Sequence, residues 1–256
     1  MGLFGKVFEK KQCSICGGEI GLLGNRKLED GNMCKDCSAK LSPFFSERKS
    51  STVAEIEEQL NYREANKEQV AKFHTTRTLG ESTKLLLDED SGKFMVTGAK
   101  NITHANPDVI DYSQVTGVEL DIDDGKHEEQ TKDKEGHLVS YNPPRYVFYY
   151  DFDIVIHVNH PYFDTIRFRL NSSDVEINEG NALPINRKPD ERTNREYQKY
   201  EKMGNEIKQI LTKARQDART EILAASAPKK PVICPNCGAT TVPNDSGCCE
   251  YCGGPV

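Results

Sequence analysis

The clearest pattern in the chain is an alternation of apolar and polar side chains over residues 145–158. A period of two residues is typical of a β-strand, whose successive side chains point to opposite faces of a sheet. A shorter apolar run, 166–170, follows after the turn signal His160-Pro161. The two runs are therefore predicted to be consecutive antiparallel strands. One face of the first carries Tyr146, Phe148, Tyr150, Phe152, Ile154, Ile156 and Val158.

Two further patterns predict strands earlier in the chain. Residues 84–87 and 93–96 flank the polar run 88–92, which ends in glycine and predicts a hairpin turn. Over residues 118–123, Val, Leu and Ile alternate with acidic residues, as in a half-buried strand. The block as a whole is therefore predicted to be an antiparallel sheet.

Two segments have the three- and four-residue spacing of apolar side chains that is typical of helices. The first is 52–73 and the second is 193–225. Each opens on a possible capping box, Thr52 with Glu55 and Thr193 with Glu196. The stripe of the second helix is expected to cover one face of the sheet. Residues 226–232 contain two prolines and are predicted to be a linker.

Composition indicates a globular protein of polar character, with 256 residues, 36% hydrophobic and 29% charged. No apolar run approaches the roughly 18 residues of a transmembrane helix. Residues 1–11 are too short and too charged for a secretory signal. A cytoplasmic location is therefore expected. The same segment has apolar residues at helical spacing beside lysines, so that it either docks on the protein or lies on a membrane surface.

The net charge of −6 is concentrated in one block. Residues 82–180 hold nineteen acidic and nine basic side chains, a net charge of −10, whereas residues 1–45 have a net charge of +2. An acidic surface repels phosphate groups, so this block is a poor candidate for binding nucleic acid or anionic lipid.

Nine cysteines carry the candidate chemistry, and eight of them form four Cys-x-x-Cys pairs. In the N-terminal set, Cys13 and Cys16 are followed by Gly17, and Cys34 and Cys37 run into a helix-like segment. Glycine after such a pair permits a positive φ, which lets backbone amides turn toward the sulfurs. A knuckle, a hairpin and a helix-borne second pair predict a treble-clef-like finger.

The C-terminal set is Cys234 and Cys237, then Cys249 and Cys252, each pair followed by glycine. Two knuckles joined by a short hairpin are typical of a zinc ribbon. The ninth cysteine, Cys248, could replace Cys249 as a ligand, but the two-residue spacing to Cys252 favours Cys249.

Four thiolates suit the tetrahedral coordination of zinc. A single Cys-x-x-Cys pair is equally compatible with redox chemistry, but two complete sets outside any βαβ unit favour metal binding. A four-cysteine set is closed, whereas catalytic zinc keeps an open position. The sequence therefore predicts two structural zinc ions and no enzyme.

Other candidate sites have weaker patterns. His157 and His160 lack a nearby glutamate, so turn or surface roles are favoured over metal binding. Residues 121–125 resemble part of a calcium loop but have glycine and lysine where that loop needs a ligand and glycine, which favours a solvated acidic loop.

The N-terminal cysteine set, with the segment Gly21-Leu22-Leu23-Gly24, resembles a bacterial zinc-binding module that is catalogued as a domain of unknown function. The middle block resembles the pleckstrin-homology-like domains found behind that module, in which antiparallel strands are closed by a C-terminal helix. The resemblance implies architecture and a metal, and it implies no activity.

The predicted fold class is α+β. We expect a treble-clef-like finger (1–45), a helical connector (46–81), an antiparallel sheet with its C-terminal helix (82–225), a linker (226–232) and a zinc ribbon (233–256).

The leading hypothesis is a non-catalytic interaction protein whose partner is another protein. Two alternatives are nucleic-acid binding through the ribbon, which has few basic residues, and membrane-surface association through residues 1–11.

Overall fold

The N-terminal part of the chain forms two small hairpins and a short helix. In the computed structural model, which describes residues 11–178, 188–226 and 230–256, both hairpins are antiparallel. The elements are β1 (Lys11–Gln12), β2 (Glu19–Ile20), β3 (Arg26–Lys27), β4 (Asn32–Met33) and α1 (Lys35–Ser38). The sequence predicts a knuckle, one hairpin and a helix in this order, and in the structure the knuckle lies within a second hairpin, between β1 and β2.

A small apolar core lies beneath these hairpins and extends to the next helix, α2 (Val53–Lys72). The capping box predicted for this helix is confirmed, because Thr52 and Glu55 exchange the expected hydrogen bonds. The first half of α2 thus packs with the cysteine-bearing hairpins. The core residues are Cys13, Ile20, Leu28, Met33, Cys37, Leu41 and Ile56.

The first sheet has four antiparallel strands in chain order. The predicted hairpin is confirmed, with Asp88 opposite Lys93. Its turn is held by the carboxylate of Asp88, which accepts a hydrogen bond from the backbone N–H of Ser91 (3.0 Å). A one-turn helix, α3 (Ile102–Ala105), precedes the last strand. The strands are β5 (Arg77–Gly80), β6 (Lys84–Asp88), β7 (Lys93–Thr97) and β8 (Ile110–Asp111).

The second sheet is built on one long strand, β10 (Leu138–His160). This strand pairs with β9 (Val115–Lys132) along one edge and with β11 (Phe163–Arg169) and β12 (Val175–Asn178) along the other. The predicted strand is confirmed, and Phe152, Ile154 and Ile156 of its apolar face are fully buried, while Val147 and Val155 of the other face are buried as well.

The interpretation of residues 121–125 as an acidic loop is wrong, because they belong to β9. Tyr149–Asp153 of β10 lie opposite them in register. Pairing with a long neighbouring strand satisfies the backbone, and Arg167 offsets the charge through ion pairs to Asp121 (2.7 Å) and Asp153 (2.8 Å). A run of carboxylates can therefore remain extended.

The long helix α4 (Arg195–Ser226) covers the second sheet with its first half. Tyr197 lies edge-on to Tyr150 and Phe152, at ring-centroid distances of 5.1 Å and 5.0 Å. The predicted capping box at Thr193 is wrong. Asn194 caps the helix instead, since its side-chain oxygen accepts hydrogen bonds from the N–H groups of Glu196 (2.8 Å) and Tyr197 (3.0 Å).

The C-terminal part contains a small antiparallel hairpin of β13 (Val232–Ile233) and β14 (Thr240–Thr241). The chain divides into two compact units, Met1–Arg215 and Gln216–Val256. Of the predicted segments, residues 1–10 and 227–229 lie outside the described residues. Within the described ranges, no helix combines the length and the apolar composition that a membrane span requires.

Candidate metal centres

The four N-terminal cysteines converge on one point. Their sulfur atoms all lie within 4.8 Å of one another, and the Sγ atoms of Cys16 and Cys34 are 3.9 Å apart. Zn–S bonds of about 2.3 Å in tetrahedral geometry place the sulfurs roughly 3.8 Å apart. The spacing therefore matches one four-coordinate zinc ion.

The first pair sits on a tight turn that its glycine makes possible. The N–H of Gly17 donates to the carbonyl of Cys13 (2.8 Å), and the N–H of Cys13 donates to the carbonyl of Gly18 (2.8 Å). Gly17 has a φ of 71°, a conformation that side chains with a Cβ rarely adopt. This confirms the positive φ expected from the sequence.

The second pair is carried by α1, as predicted. Cys34 is the N-cap residue of α1, and its sulfur accepts a hydrogen bond from the N–H of Cys37 (3.3 Å). The N–H of Cys34 donates in turn to the sulfur of Cys13 (3.2 Å). Backbone N–H groups directed at sulfur favour the thiolate form, which is the form that ligates a metal.

The C-terminal cluster repeats the knuckle twice. Gly238 and Gly253 have φ values of 73° and 71°, and their N–H groups donate to the carbonyls of Cys234 and Cys249, each at 2.9 Å. Both predicted trailing glycines therefore take the conformation of Gly17.

The sulfurs of this second cluster also have tetrahedral spacing. Cys234 and Cys252 are separated by 3.6 Å, and Cys237 and Cys249 by 3.7 Å, between Sγ atoms. All four ligand atoms lie within 4.8 Å of one another. The structure thus assembles the eight predicted ligands into two groups of four, each of which could hold a zinc ion.

The environment divides the thiols of each cluster by acidity. Burial raises the pKa of Cys13, but hydrogen bonds from the backbone of Cys16, Cys34 and Ile15 together outweigh this effect. The net pKa of Cys13 is about 6. Burial and the neighbouring thiols raise the pKa of Cys37. Four thiolates at this spacing repel one another, so that all four ionise together only around a cation.

The same division occurs at the C-terminal end. Burial raises the pKa of Cys249, but backbone N–H groups of Cys252 and Tyr251 lower it to about 6. A backbone hydrogen bond from Ala239 lowers the pKa of Cys237, whereas the thiol of Cys252 and burial raise it to about 12. Burial raises the pKa of Cys234, but backbone hydrogen bonds outweigh this effect and lower it, so each cluster contains at least one thiol whose pKa is lowered and one whose pKa is raised.

Cys248 lies outside the second cluster. Its sulfur donates to the carbonyl of Ser246 (3.6 Å), and its N–H donates to the side chain of Asn244 (2.9 Å). The group of four is completed by Cys249, in agreement with the spacing that favoured it.

The two histidines considered from the sequence have other surroundings. His160 stacks on Phe163 at 4.1 Å and lies against Tyr62 at 5.1 Å, between ring centroids. Burial in this aromatic cluster lowers the pKa of His160. His157 lies 3.6 Å from the carboxylate of Glu119. Among the described residues, neither histidine belongs to a group of possible metal ligands.

A third group of possible ligand atoms, Asp133, Glu135 and His137, occurs at the exposed tip of the β9–β10 hairpin. Asp133 accepts hydrogen bonds from the N–H groups of Glu135 and His137, each at 2.9 Å. These bonds shape the turn, which accounts for the proximity of the three side chains.

A buried polar network was missed by sequence reasoning. Arg63 of α2 donates to Asp108 at 2.7 Å, and side-chain exposure is 8% for Arg63 and 0% for Asp108. Asp108 also accepts from the hydroxyl of Ser42 (2.8 Å). The network connects the segment after α1 to the loop before β8. No sequence signal distinguishes Arg63 from the solvated charges around it.

A family model described as a domain of unknown function (DUF4428) matches residues 11–59. The match contains the whole N-terminal cluster and the start of α2, and it confirms the resemblance to an N-terminal domain of unknown function. Neither curated proteins nor solved structures provide a match to the chain. The bacterial origin and the pleckstrin-homology-like identity remain predictions.

Proposed function

We propose that this chain is a non-catalytic interaction protein in which each four-cysteine cluster holds one structural zinc ion. The observation that carries the proposal is the tetrahedral spacing of four sulfurs in both clusters. Four protein ligands fill the coordination sphere of zinc and leave no position for water or substrate.

The surrounding elements support specific module types. Hairpins with one helix-borne cysteine pair favour a treble-clef-like finger, and two knuckles with a short hairpin favour a zinc ribbon. Two antiparallel sheets followed by a helix that packs on the second favour a pleckstrin-homology-like domain. Zinc ligation requires reduced thiols, so the proposal places the chain in a reducing compartment such as the cytoplasm.

The charge and the exposed side chains of the ribbon are better suited to binding a protein than to binding a nucleic acid. In the described range 230–256, Lys230 is the basic residue and Asp245 and Glu250 are acidic. Binding to nucleic acid depends on neutralising several phosphates with Lys and Arg. Exposed Ile233 and Tyr251, which are 74% and 73% accessible, instead offer apolar contact area.

Affinity purification from the native cell tests the interaction role. We expect the Cys234→Ser, Cys237→Ser variant to lose the ribbon's zinc and a partner that the wild-type chain retains. Because Gln216–Val256 forms its own compact unit, the remainder of the chain should stay folded.

The matched control is Cys248→Ser, which removes a thiol outside the cluster and should retain both zinc and partner. Recovery of the same proteins by wild type and double variant would contradict a binding role for the ribbon. Turnover of a substrate by the purified chain would contradict the non-catalytic assignment.

A further inference from the structure

Two leucines occupy the corner of an exposed turn next to the N-terminal cluster. The N–H of Gly24 donates to the carbonyl of Gly21 (2.9 Å), which makes Gly21–Gly24 a β-turn with Leu22 and Leu23 at its centre. Leu22 is 85% exposed and Leu23 is 89% exposed. Central turn positions ordinarily hold proline, glycine, asparagine, aspartate or serine. We call residues 21–24 the leucine turn.

Among the described residues, these two side chains take no part in the apolar core of the finger. Ile20, directly before the turn, is 6% exposed and belongs to the core beneath the hairpins, whereas neither leucine contributes to that core. A local rule broken without a gain in packing is expected at functional sites. The leucine turn is therefore an exposed apolar surface that is available to bind another apolar surface.

Cationic residues lie on the strands that flank the leucine turn. Lys11 lies opposite Ile20 in the β1–β2 ladder, and the guanidinium of Arg26 donates to the carbonyl of Leu23 (3.4 Å). Lys27 follows, and its carbonyl accepts from Arg48 (2.5 Å). On β1, β2 and β3 the acidic residue is Glu19, against three cations.

We propose that the leucine turn inserts into the interfacial layer of a membrane that contains anionic lipid. Such a surface accepts apolar side chains at the depth of the acyl boundary and attracts the cations around them. The proposal rests on the proposed function, since the zinc-bound finger holds the turn in place, and it adds a lipid surface bound by the finger to the protein partner of the ribbon.

A lipid surface fits better than a groove on another protein. Leucine is under-represented among the residues that dominate protein interfaces, and a four-residue turn offers little surface for shape complementarity. A fluid interface needs only an apolar tip and flanking positive charge. The acidic residues of 82–180 are repelled by the same surface, which favours an orientation with the finger toward the lipid.

The test is co-sedimentation of the full zinc-loaded chain with vesicles of phosphatidylglycerol and phosphatidylcholine, and with vesicles of phosphatidylcholine alone. We expect binding to the anionic vesicles that weakens as salt is added. A Leu22→Ser, Leu23→Ser variant should bind roughly tenfold or more weakly, because burying even one leucine is worth about tenfold in an equilibrium constant.

The matched control is Leu138→Ser, a leucine that is 64% exposed on β10, outside the finger; it should bind as wild type does. Zinc is counted on every sample, so that loss of the metal, which would defeat the proposed function, is distinguished from loss of lipid binding. The membrane proposal is overturned if the zinc-loaded wild type ignores anionic vesicles, or if the double variant binds them equally. Self-association lost in the double variant without vesicle binding would identify a second copy as the partner instead.

Discussion

In a Cys37→Ser variant, we expect the zinc ion of the N-terminal cluster to be lost and the hairpins of residues 11–41 to be unfolded. Cys37 is 4% exposed and belongs both to the sulfur cluster and to the core beneath the hairpins. Structural zinc contributes an apparent 10–16 kcal/mol to folding in small modules at neutral pH, about as much as or more than the total stability of a typical domain. The measurement is amide hydrogen exchange over these residues, with zinc counted by mass spectrometry.

The loss of protection in Cys37→Ser should be limited to the finger and to the part of α2 that packs against it. Ile56 of α2 packs in the same core, so the first turns of α2 should exchange faster while the sheets remain protected. Cys248→Ser serves as the control: it should retain two zinc ions, and its amide hydrogen exchange should match that of the wild type. Retention of both zinc ions and of full protection in Cys37→Ser would contradict the assignment of the N-terminal cluster.

The second large effect is expected at the buried ion pair. Replacing Asp108 by asparagine should lower the free energy of unfolding by about 3–5 kcal/mol, because the guanidinium of Arg63 is then buried without its counterion. The hydroxyls of Ser42 and Tyr62 also lose their charged acceptor. Urea unfolding followed by circular dichroism measures the change.

Two comparisons separate the buried pair from surface charge. Arg167→Met breaks ion pairs of a side chain that is 50% exposed, and it should cost about 1 kcal/mol or less. Arg63→Lys should not preserve stability, since Arg63 donates through three nitrogens to Lys40, Asn106 and Asp108. A cost for Asp108→Asn no larger than that of Arg167→Met would contradict this picture of the interior.

The cysteine sites were predictable because their signals are local. The two-residue spacing and the following glycine specify a turn, and the structure shows that turn at Gly17, Gly238 and Gly253. The alternation over 145–158 was equally informative, since burial of one face fixes the register of a strand. Both features depend on residues that are close together in the sequence.

What the sequence did not predict depends on distant partners. The carboxylates of residues 121–125 are typical of a loop until the long strand β10 supplies hydrogen bonds to their backbone. Helix α2 buries Gln59, Arg63 and Asn66, although polar residues on a helix normally face water. The side chain of Asn66 forms hydrogen bonds with Asn106, Pro107 and Val109, which lie forty or more residues further along the chain. The sequence around Asn66 does not indicate these partners.

The cap of α4 shows the limit of motif matching at closer range. Thr193 and Glu196 have the spacing of a capping box, but the hydroxyl of Thr193 donates to the carbonyl of Asp190 (2.7 Å) in the preceding turn. Asn194 is then left to cap the helix one residue later. Asparagine is as good an N-cap as threonine, so the competing turn decides the boundary.

The most direct test of two closed zinc sites is zinc X-ray absorption spectroscopy on the purified full chain, with the metal content determined on the same sample. The predicted result is two zinc ions per chain, each surrounded by four sulfur atoms at about 2.3 Å, and an unchanged spectrum for Cys248→Ser. An average below four sulfurs, with oxygen from water in the remaining position, would contradict closed structural sites and would reopen the question of catalysis.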